Sequence, residues 1–318
     1  MEAEAILRDA VSAYCAALRE RFVAAYALGS LAHGGFAPLV SDIDLGLIIT
    51  DPLQPGDAEA VRSVADAAKH ASGSMLAERL SVFWGTPATL RGRCEGGRFP
   101  PLDRLDLIDN GRLLEGVDDR HGLPRPETDE LLISGARFAL EFLAGEPTAP
   151  ASADAGLGSL RPANADATEG LSDPELLLAR GIRRVTKLVL FPVRFMFTAA
   201  TSRVATNHEA GAWYLALESN PGADLVAAAL RWRDVPPSDN AVATTLLRHH
   251  LPSLYERYID DHIGRLTAAG RPDLVRAFER WRRRVASQRA RSPEPADQLA
   301  SNAAAERLRD RVARPNLR

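Results

Sequence analysis

Two aspartates, Asp42 and Asp44, open a short apolar run and have the residue types and spacing that could do chemistry. The run at residues 45–49 is bounded by polar residues, which predicts a buried strand. Because side chains alternate along a strand, Asp42 and Asp44 should share one face, with Ile43 on the other. Two neighbouring carboxylates repel each other unless a cation lies between them. Oxygen-only ligands suit Mg²⁺ or Mn²⁺, so the pair predicts a divalent metal site.

A Gly-Ser pair, Gly29-Ser30, precedes the aspartates and ends another short apolar run at residues 23–28. A glycine turn lets backbone N–H groups approach phosphate oxygens closely, and the serine adds a hydroxyl. Phosphate donors beside metal-binding carboxylates are the components of phosphoryl or nucleotidyl transfer. The two motifs together therefore predict a site for a nucleotide and a metal ion.

The pattern Gly29-Ser30 followed by Ser41-Asp42-Ile43-Asp44 resembles the signature of the DNA polymerase β superfamily of nucleotidyltransferases. It is most similar to the version in bacterial aminoglycoside adenylyltransferases. The resemblance implies an α+β fold, in which a small mixed sheet with flanking helices precedes an α-helical bundle. It implies an enzyme that moves a nucleoside monophosphate, AMP from ATP or another NTP, to a hydroxyl of a small molecule. Asp42 and Asp44 would be catalytic and bind Mg²⁺ or Mn²⁺, while Gly29 and Ser30 would bind the nucleotide.

The second half of the chain extends this resemblance over residues 194–213. A helix bearing Arg194, then a turn and a helix ending near Trp213, is similar to the C-terminal domain of the same adenylyltransferases. Arg194 is accordingly expected to bind the nucleotide. In that family a lysine at the start of the second helix binds the triphosphate, whereas Asn207 occupies the matching position here, and Arg194 and Arg203 are the nearest candidates to take over its role.

A third metal-site carboxylate of the superfamily also has no clear counterpart. It lies on the strand beside the D-x-D strand and often deprotonates the attacking hydroxyl, but the matching residue here is Ser81. Glu78, just before this strand, and Asp106, in the next apolar run, are both open as replacements. Loss of the metal ligand and of the phosphate cation would each cost several kcal/mol of transition-state stabilisation unless something compensates.

These departures leave two alternatives to catalysis open. One is a catalytically impaired nucleotide-binding or regulatory protein of the same fold. The other is an antitoxin-like partner of a ribonuclease, since Arg203-x4-His208 fits the R-x4-6-H pattern of HEPN ribonucleases, although a helix cap and surface residues are the favoured interpretation.

Sequence patterns also predict the domain organisation. We expect a nucleotidyltransferase domain at residues 1–126, a helical acceptor-binding domain at 127–290 with a mobile loop at about 145–171, and a tail at 291–318. Residues 105–114 predict a hairpin around an Asn-Gly turn. Residues 91–101, rich in glycine and arginine, predict a surface loop with solvated arginines. A helix over residues 176–201 should kink or break at Pro192.

Composition limits the partners. The net charge of −3 and pI near 6.2 do not favour nucleic acid as a partner, and no apolar run approaches the roughly 20 residues of a membrane span. Two isolated cysteines, Cys15 and Cys94, suit a reducing cytoplasm. Acids and arginines are about equally frequent over residues 173–265, which does not favour a polycationic aminoglycoside. A nucleotide and another small hydroxylated acceptor are the expected partners.

Overall fold

The computed structural model describes residues 2–146 and 173–291 of the chain. A four-stranded sheet lies in the first half, in the order β3-β2-β1-β4. Its strands are β1 (Phe22–Leu28), β2 (Ile43–Ile49), β3 (Leu80–Gly85) and β4 (Arg112–Gly116). Strand β1 is antiparallel to β2 and β4, whereas β2 is parallel to β3. The sheet is therefore mixed, as predicted.

Helices flank this sheet, and the described part of the second half of the chain consists of helices and their connections. Those of the first half are α1 (Glu2–Leu18), α2 (Gly29–His33), α3 (Asp57–Ser72), α4 (Pro87–Leu90) and α5 (Pro101–Asn110). Those of the second half are α6 (Thr128–Phe142), α7 (Pro174–Ala179), α8 (Ile182–Thr201), α9 (Asn207–Leu215), α10 (Ala223–Trp232), α11 (Asn240–Ala268) and α12 (Pro272–Arg291). The α+β architecture expected from the sequence, a small mixed sheet followed by a helical bundle, is confirmed.

The alternation of side chains along β2 places the two faces of the sheet in different surroundings. Ile43, Leu45 and Leu47 are fully buried in a core shared with α1 and α3. The Tyr14 hydroxyl of α1 ties these helices together by donating to the Val61 carbonyl at 2.8 Å. The opposite face carries Asp42 and Asp44 towards α5 and the helical half. Most of this second face is also packed, because Tyr26 and Ile48 form a buried cluster with Leu90 of α4 and Leu107 of α5, so the two aspartates lie at one end of it.

The helical half has its own core, centred on α8, α11 and α12. Aromatic side chains dominate its interior, and Tyr255, Tyr258, Phe278 and Trp281 are buried with ring centroids about 6 Å apart. The Tyr255 hydroxyl donates to the Leu188 carbonyl at 2.8 Å. Helix α8 is fixed in position by this packing, and its remaining face is presented to the sheet.

Three local predictions were wrong, at least in part. Residues 105–110 belong to helix α5 and not to a hairpin, because Pro100 and Pro101 start a helix that buries Leu105 and Leu107. Only the second half of the predicted hairpin is a strand, β4. Residues 176–201 form two helices, and the break lies at Gly181, whose φ of +99° no other residue adopts easily. Pro192 stays inside α8, where it is buried, because packing outweighs one lost hydrogen bond.

The third error concerns residues 91–101. Arg98 is partly buried, donates to the Val82 carbonyl at 2.6 Å and lies 4.7 Å from the centroid of the Phe83 ring. It is therefore held against β3 and is not a solvated arginine.

The predicted domain boundary at residue 126 remains a prediction. The loop predicted at 145–171 and the tail at 291–318 lie outside the described residues, apart from residues 145, 146 and 291. Among the described helices, none has the length and apolar character that a bilayer crossing requires.

Candidate functional site

A cleft of about 850 Å³ lies between the end of the sheet that carries Asp42 and Asp44, helix α5, and helices α6 and α8. Several elements contribute polar side chains to it, and these include Ser30, Asp42, Asp44, Ser81, Arg98, Asp103, Asp106, Lys187, Arg194 and Asn207. Its volume lies within the range of small-molecule sites, about 300–1,000 Å³. All the site residues expected from the sequence, Gly29, Ser30, Asp42, Asp44 and Arg194, line this one cleft.

Asp44 lies in the cleft without a hydrogen-bond or ion-pair partner for its side chain among the residues that the structure describes. Burial, followed by the negative charges of Asp42 and Asp103, raises the pKa of Asp44 well above its usual value. A carboxyl group with this environment would gain strongly from a bound cation.

Asp42, by contrast, is held by two cations from the helical half. Arg183 donates to Oδ1, and the Lys187 Nζ atom lies 2.5 Å from Oδ2. Burial would raise the pKa of Asp42, but the attraction of Lys187 and Arg183 outweighs it and the pKa is below its usual value. Burial in turn lowers the pKa of Lys187, against the opposing effect of Asp42. This contact joins β2 to α8 across the cleft.

Helix α5 brings two further carboxylates to the site. Asp106 accepts the Gly29 N–H at 2.6 Å and an Asn110 side-chain N–H at 2.9 Å, so both of its oxygens are engaged. For Asp103, burial raises the pKa to about 7, with Arg98 opposing this rise. The α5 helix therefore supplies one structural carboxylate, Asp106, and one that titrates near neutral pH, Asp103.

The structure also separates the two replacements that the sequence left open for the third carboxylate. Ser81 is paired with Asp44 between the parallel strands β2 and β3, as the predicted register requires. Glu78 is exposed in the turn before β3 and does not line the cleft, whereas Asp106 does. Arg203 and His208 are both exposed and lie outside the cleft.

Three residues of the site were missed by sequence reasoning: Asp103, Arg183 and Lys187. Asp103 was missed because its neighbours were assigned to a hairpin. A signal existed for Lys187, since it is one of only two lysines in an arginine-rich chain and interrupts the apolar run of α8. Its partner Asp42 is 145 residues away in sequence, so no local pattern could reveal their contact.

Gly29, directly after β1, lies against Asp44, and we expect its replacement by alanine to destabilise the folded protein. Gly29 has a φ of +58°, and an added Cβ would overlap the Asp44 carboxyl group. We expect Gly29→Ala to lower the free energy of unfolding by about 2–4 kcal/mol, through backbone strain and this clash. Urea denaturation measures the change.

Gly73→Ala is the matched control for this substitution. Gly73 has nearly the same φ, +60°, but an added Cβ there meets nothing within 4 Å. Only the strain of about 1–2 kcal/mol should therefore appear. Equal losses in the two variants would contradict the close approach of Gly29 to Asp44.

Asp103 should make stability depend on pH. Its pKa is about 7 in the folded state and lower in the unfolded state, so between about pH 4 and 7 the folded protein holds a proton that the unfolded chain releases. Stability from this group is consequently lost as pH rises through that window. We expect Asp103→Asn to remove this loss, so that the variant gains on the wild type as pH rises to about 7.

Urea unfolding in chelator at a series of pH values measures this gain. Asp109→Asn, which changes an exposed carboxylate on the same helix, is the control. Parallel stability curves for wild type and Asp103→Asn would show that Asp103 has no raised pKa.

Comparisons with known proteins identify a similar fold but no family or close relative. No protein-family model matches the chain, and a comparison with curated proteins finds no match either. Among solved structures, the chain is similar to spectinomycin adenyltransferase AAD(9) from Enterococcus faecialis, crystallised with ATP and spectinomycin. The TM-score is 0.51 and the identity 10%, over 78% of this chain and 98% of that chain. The likeness is one of fold.

Proposed function

We propose that the protein is a nucleotidyltransferase that moves a nucleoside monophosphate, AMP from ATP in the first instance, to a hydroxyl group of a small molecule. The observation that carries the proposal is the convergence of Asp42 and Asp44 with Ser30, Lys187 and Arg194 in one cleft of about 850 Å³. Carboxylates for a metal ion and cations for phosphates lie together there, on a fold shared with an adenyltransferase.

The donor set fits Mg²⁺ or Mn²⁺. No group of three or more His, Cys, Asp or Glu side chains that could hold a metal occurs within residues 2–146 and 173–291. Mg²⁺ does not need such a group, because it is commonly bound by one or two carboxylates together with substrate phosphates. Asp42 and Asp44 would hold it, and the unsupported carboxyl of Asp44 is the observation that favours this. Bound there, the ion would neutralise charge on the reacting phosphate.

Nucleotide phosphates would be bound by the polar groups opposite the aspartates. Ser30 lines the cleft and offers a hydroxyl. The Gly29 N–H already donates to Asp106, so Gly29 would let the phosphates approach closely without donating a hydrogen bond to them. Lys187 and Arg194 on α8 supply positive charge. Lys187 thereby replaces the cation that Asn207 does not provide.

Transfer also requires a group that takes the proton of the acceptor hydroxyl. Asp103 suits this role, because its pKa of about 7 matches proton transfer near neutral pH and Asp106 is engaged elsewhere. The acceptor oxygen would bond to the α-phosphorus as its proton passes to Asp103. The bond from the α-phosphorus to the bridging oxygen would break, and pyrophosphate would leave.

The direct test is incubation with α-labelled ATP, Mg²⁺ and a panel of hydroxylated small molecules. The expected result is a labelled product with stoichiometric pyrophosphate, lost with EDTA and in Asp42→Asn. If turnover in Asp42→Asn equals that of the wild type, the assignment of this cleft is wrong.

Two observations favour a second function. Asp42 is already neutralised by Arg183 and Lys187, and Ser81 replaces a carboxylate, which would suit a protein that binds nucleotide without transferring it. Calorimetry with ATP together with a pyrophosphate assay separates the two. Micromolar binding of ATP without pyrophosphate release, over long incubation with the panel, would favour this second function.

A further inference from the structure

Four phenylalanines form one wall of the cleft: Phe138 and Phe142 on α6, and Phe191 and Phe195 on α8. We call them the phenylalanine wall. Phe138 has its ring centroid 5.3 Å from Phe142 and 5.8 Å from both Phe191 and Phe195. Each helix contributes two residues at a spacing of four, so the rings lie side by side on the helix faces that meet the cleft.

The wall lies at the border of the helical core: Phe142 is buried and belongs to that core, whereas the other three rings are partly open. Phe138 is 37% exposed, and Phe191 and Phe195 are partly exposed, whereas Phe278 in the helical core is completely buried. Aromatic faces left open inside a cleft are suited to a ligand with an apolar surface of its own, because covering them removes apolar area from water.

The wall begins beside the proposed reaction centre. Lys187 Nζ lies 5.8 Å from the centroid of the Phe191 ring and 2.5 Å from Asp42 Oδ2. A single side chain therefore connects the wall to the carboxylates. A ring system resting on the wall would hold a hydroxyl substituent within the same part of the cleft.

Charges near the wall do not suit a polycation. Asp42 is paired with Arg183 and Lys187, and Glu146 is paired with Arg280 and Arg284. Glu141 is the carboxylate that lines the cleft on α6 without a partner among the described residues. In the proposed reaction Asp44 would bind the metal ion and Asp103 the acceptor hydroxyl, so Glu141 is the carboxylate of α6 left for an ammonium group, and one carboxylate cannot neutralise several such groups.

We infer that the acceptor is an alcohol with a flat, apolar ring system and without multiple positive charges, which binds against the phenylalanine wall. The inference rests on the proposed function for the transfer step. Binding to the wall does not depend on that step and can be measured by itself.

Calorimetry with 2-naphthol and with spectinomycin, in the absence of nucleotide, tests the inference. We expect 2-naphthol to bind more tightly than spectinomycin. Phe138→Ala should weaken 2-naphthol binding about tenfold, since an aromatic contact of this kind contributes about that factor. Leu113→Ala, which truncates a side chain of similar exposure (38%) on β4, should leave binding unchanged.

Phe138→Leu guards against a folding defect, because it keeps apolar volume and removes only the ring. We expect a smaller loss of 2-naphthol affinity at an unchanged melting temperature. Tighter binding of spectinomycin, or equal 2-naphthol affinities in Phe138→Ala and Leu113→Ala, would overturn the inference. A separate ATP titration reports on the proposed function: if ATP does not bind while 2-naphthol binds through Phe138, the wall is a ligand site but not an acceptor site.

Discussion

Replacement of Asp44 by asparagine is expected to abolish nucleotidyl transfer and at the same time to stabilise the protein. Asp44 has no partner among the described residues, and burial, followed by the negative charges of Asp42 and Asp103, raises its pKa. An asparagine of the same shape removes the buried charge and the repulsion. It also removes a proposed ligand of the metal ion, so turnover should fall by about 1,000-fold or more.

The two effects are measured separately. Thermal unfolding in EDTA at pH 8 should give a higher melting temperature for Asp44→Asn than for the wild type, while transfer from labelled ATP is lost. Asp9→Asn, at an exposed carboxylate on α1, should change neither quantity. A variant that is less stable and still active would contradict both the electrostatics and the role assigned to Asp44.

Replacement of Lys187 by methionine should have the second largest effect. It removes the cation from a contact in which the side chains are only 11% (Lys187) and 19% (Asp42) exposed, and leaves Arg183 as the partner. We expect the free energy of unfolding to fall by about 1–3 kcal/mol. Nucleotide affinity should fall by about 10- to 100-fold, the value of a charge-assisted hydrogen bond to phosphate.

Lys69→Met provides a matched control, because Lys69 is the other lysine of the chain and lies on α3, away from the cleft. Urea unfolding and ATP calorimetry should show little change in it. If Lys187→Met instead binds ATP more tightly or turns over faster, Lys187 blocks Asp42 and does not bind phosphate.

The placement of Asp42 and Asp44 on one face could be predicted from sequence because it depends on local geometry. Alternation along a strand is enough to place Asp42 and Asp44 together, and the neighbouring Ile43 and Leu45 mark the buried face. This placement needs no knowledge of the rest of the chain. The position of Ser81 beside the aspartates was implied by the family resemblance and not by the strand pattern, and the structure pairs Ser81 with Asp44.

The groups that complete the cleft could not be predicted in the same way. Asp106 lies in a Leu-Asp-Leu-Ile run just before Asn-Gly, and Asp103 precedes this run. The pattern fits a strand and turn as well as a helix, and only the proline pair at residues 100 and 101 indicates α5. Lys187 and the phenylalanine wall reach the site through packing of α6 and α8 against the sheet. Such contacts depend on tertiary structure, so the local pattern assigns these residues to a helix core.

The most direct test of the account is a crystal structure with Mn²⁺ and a non-hydrolysable ATP analogue, in which anomalous scattering locates the metal. We predict a Mn²⁺ peak in contact with Asp42 and Asp44, with the triphosphate beside Ser30 and Lys187. A triphosphate bound outside the cleft, or a Mn²⁺ peak that touches neither aspartate, would contradict the account.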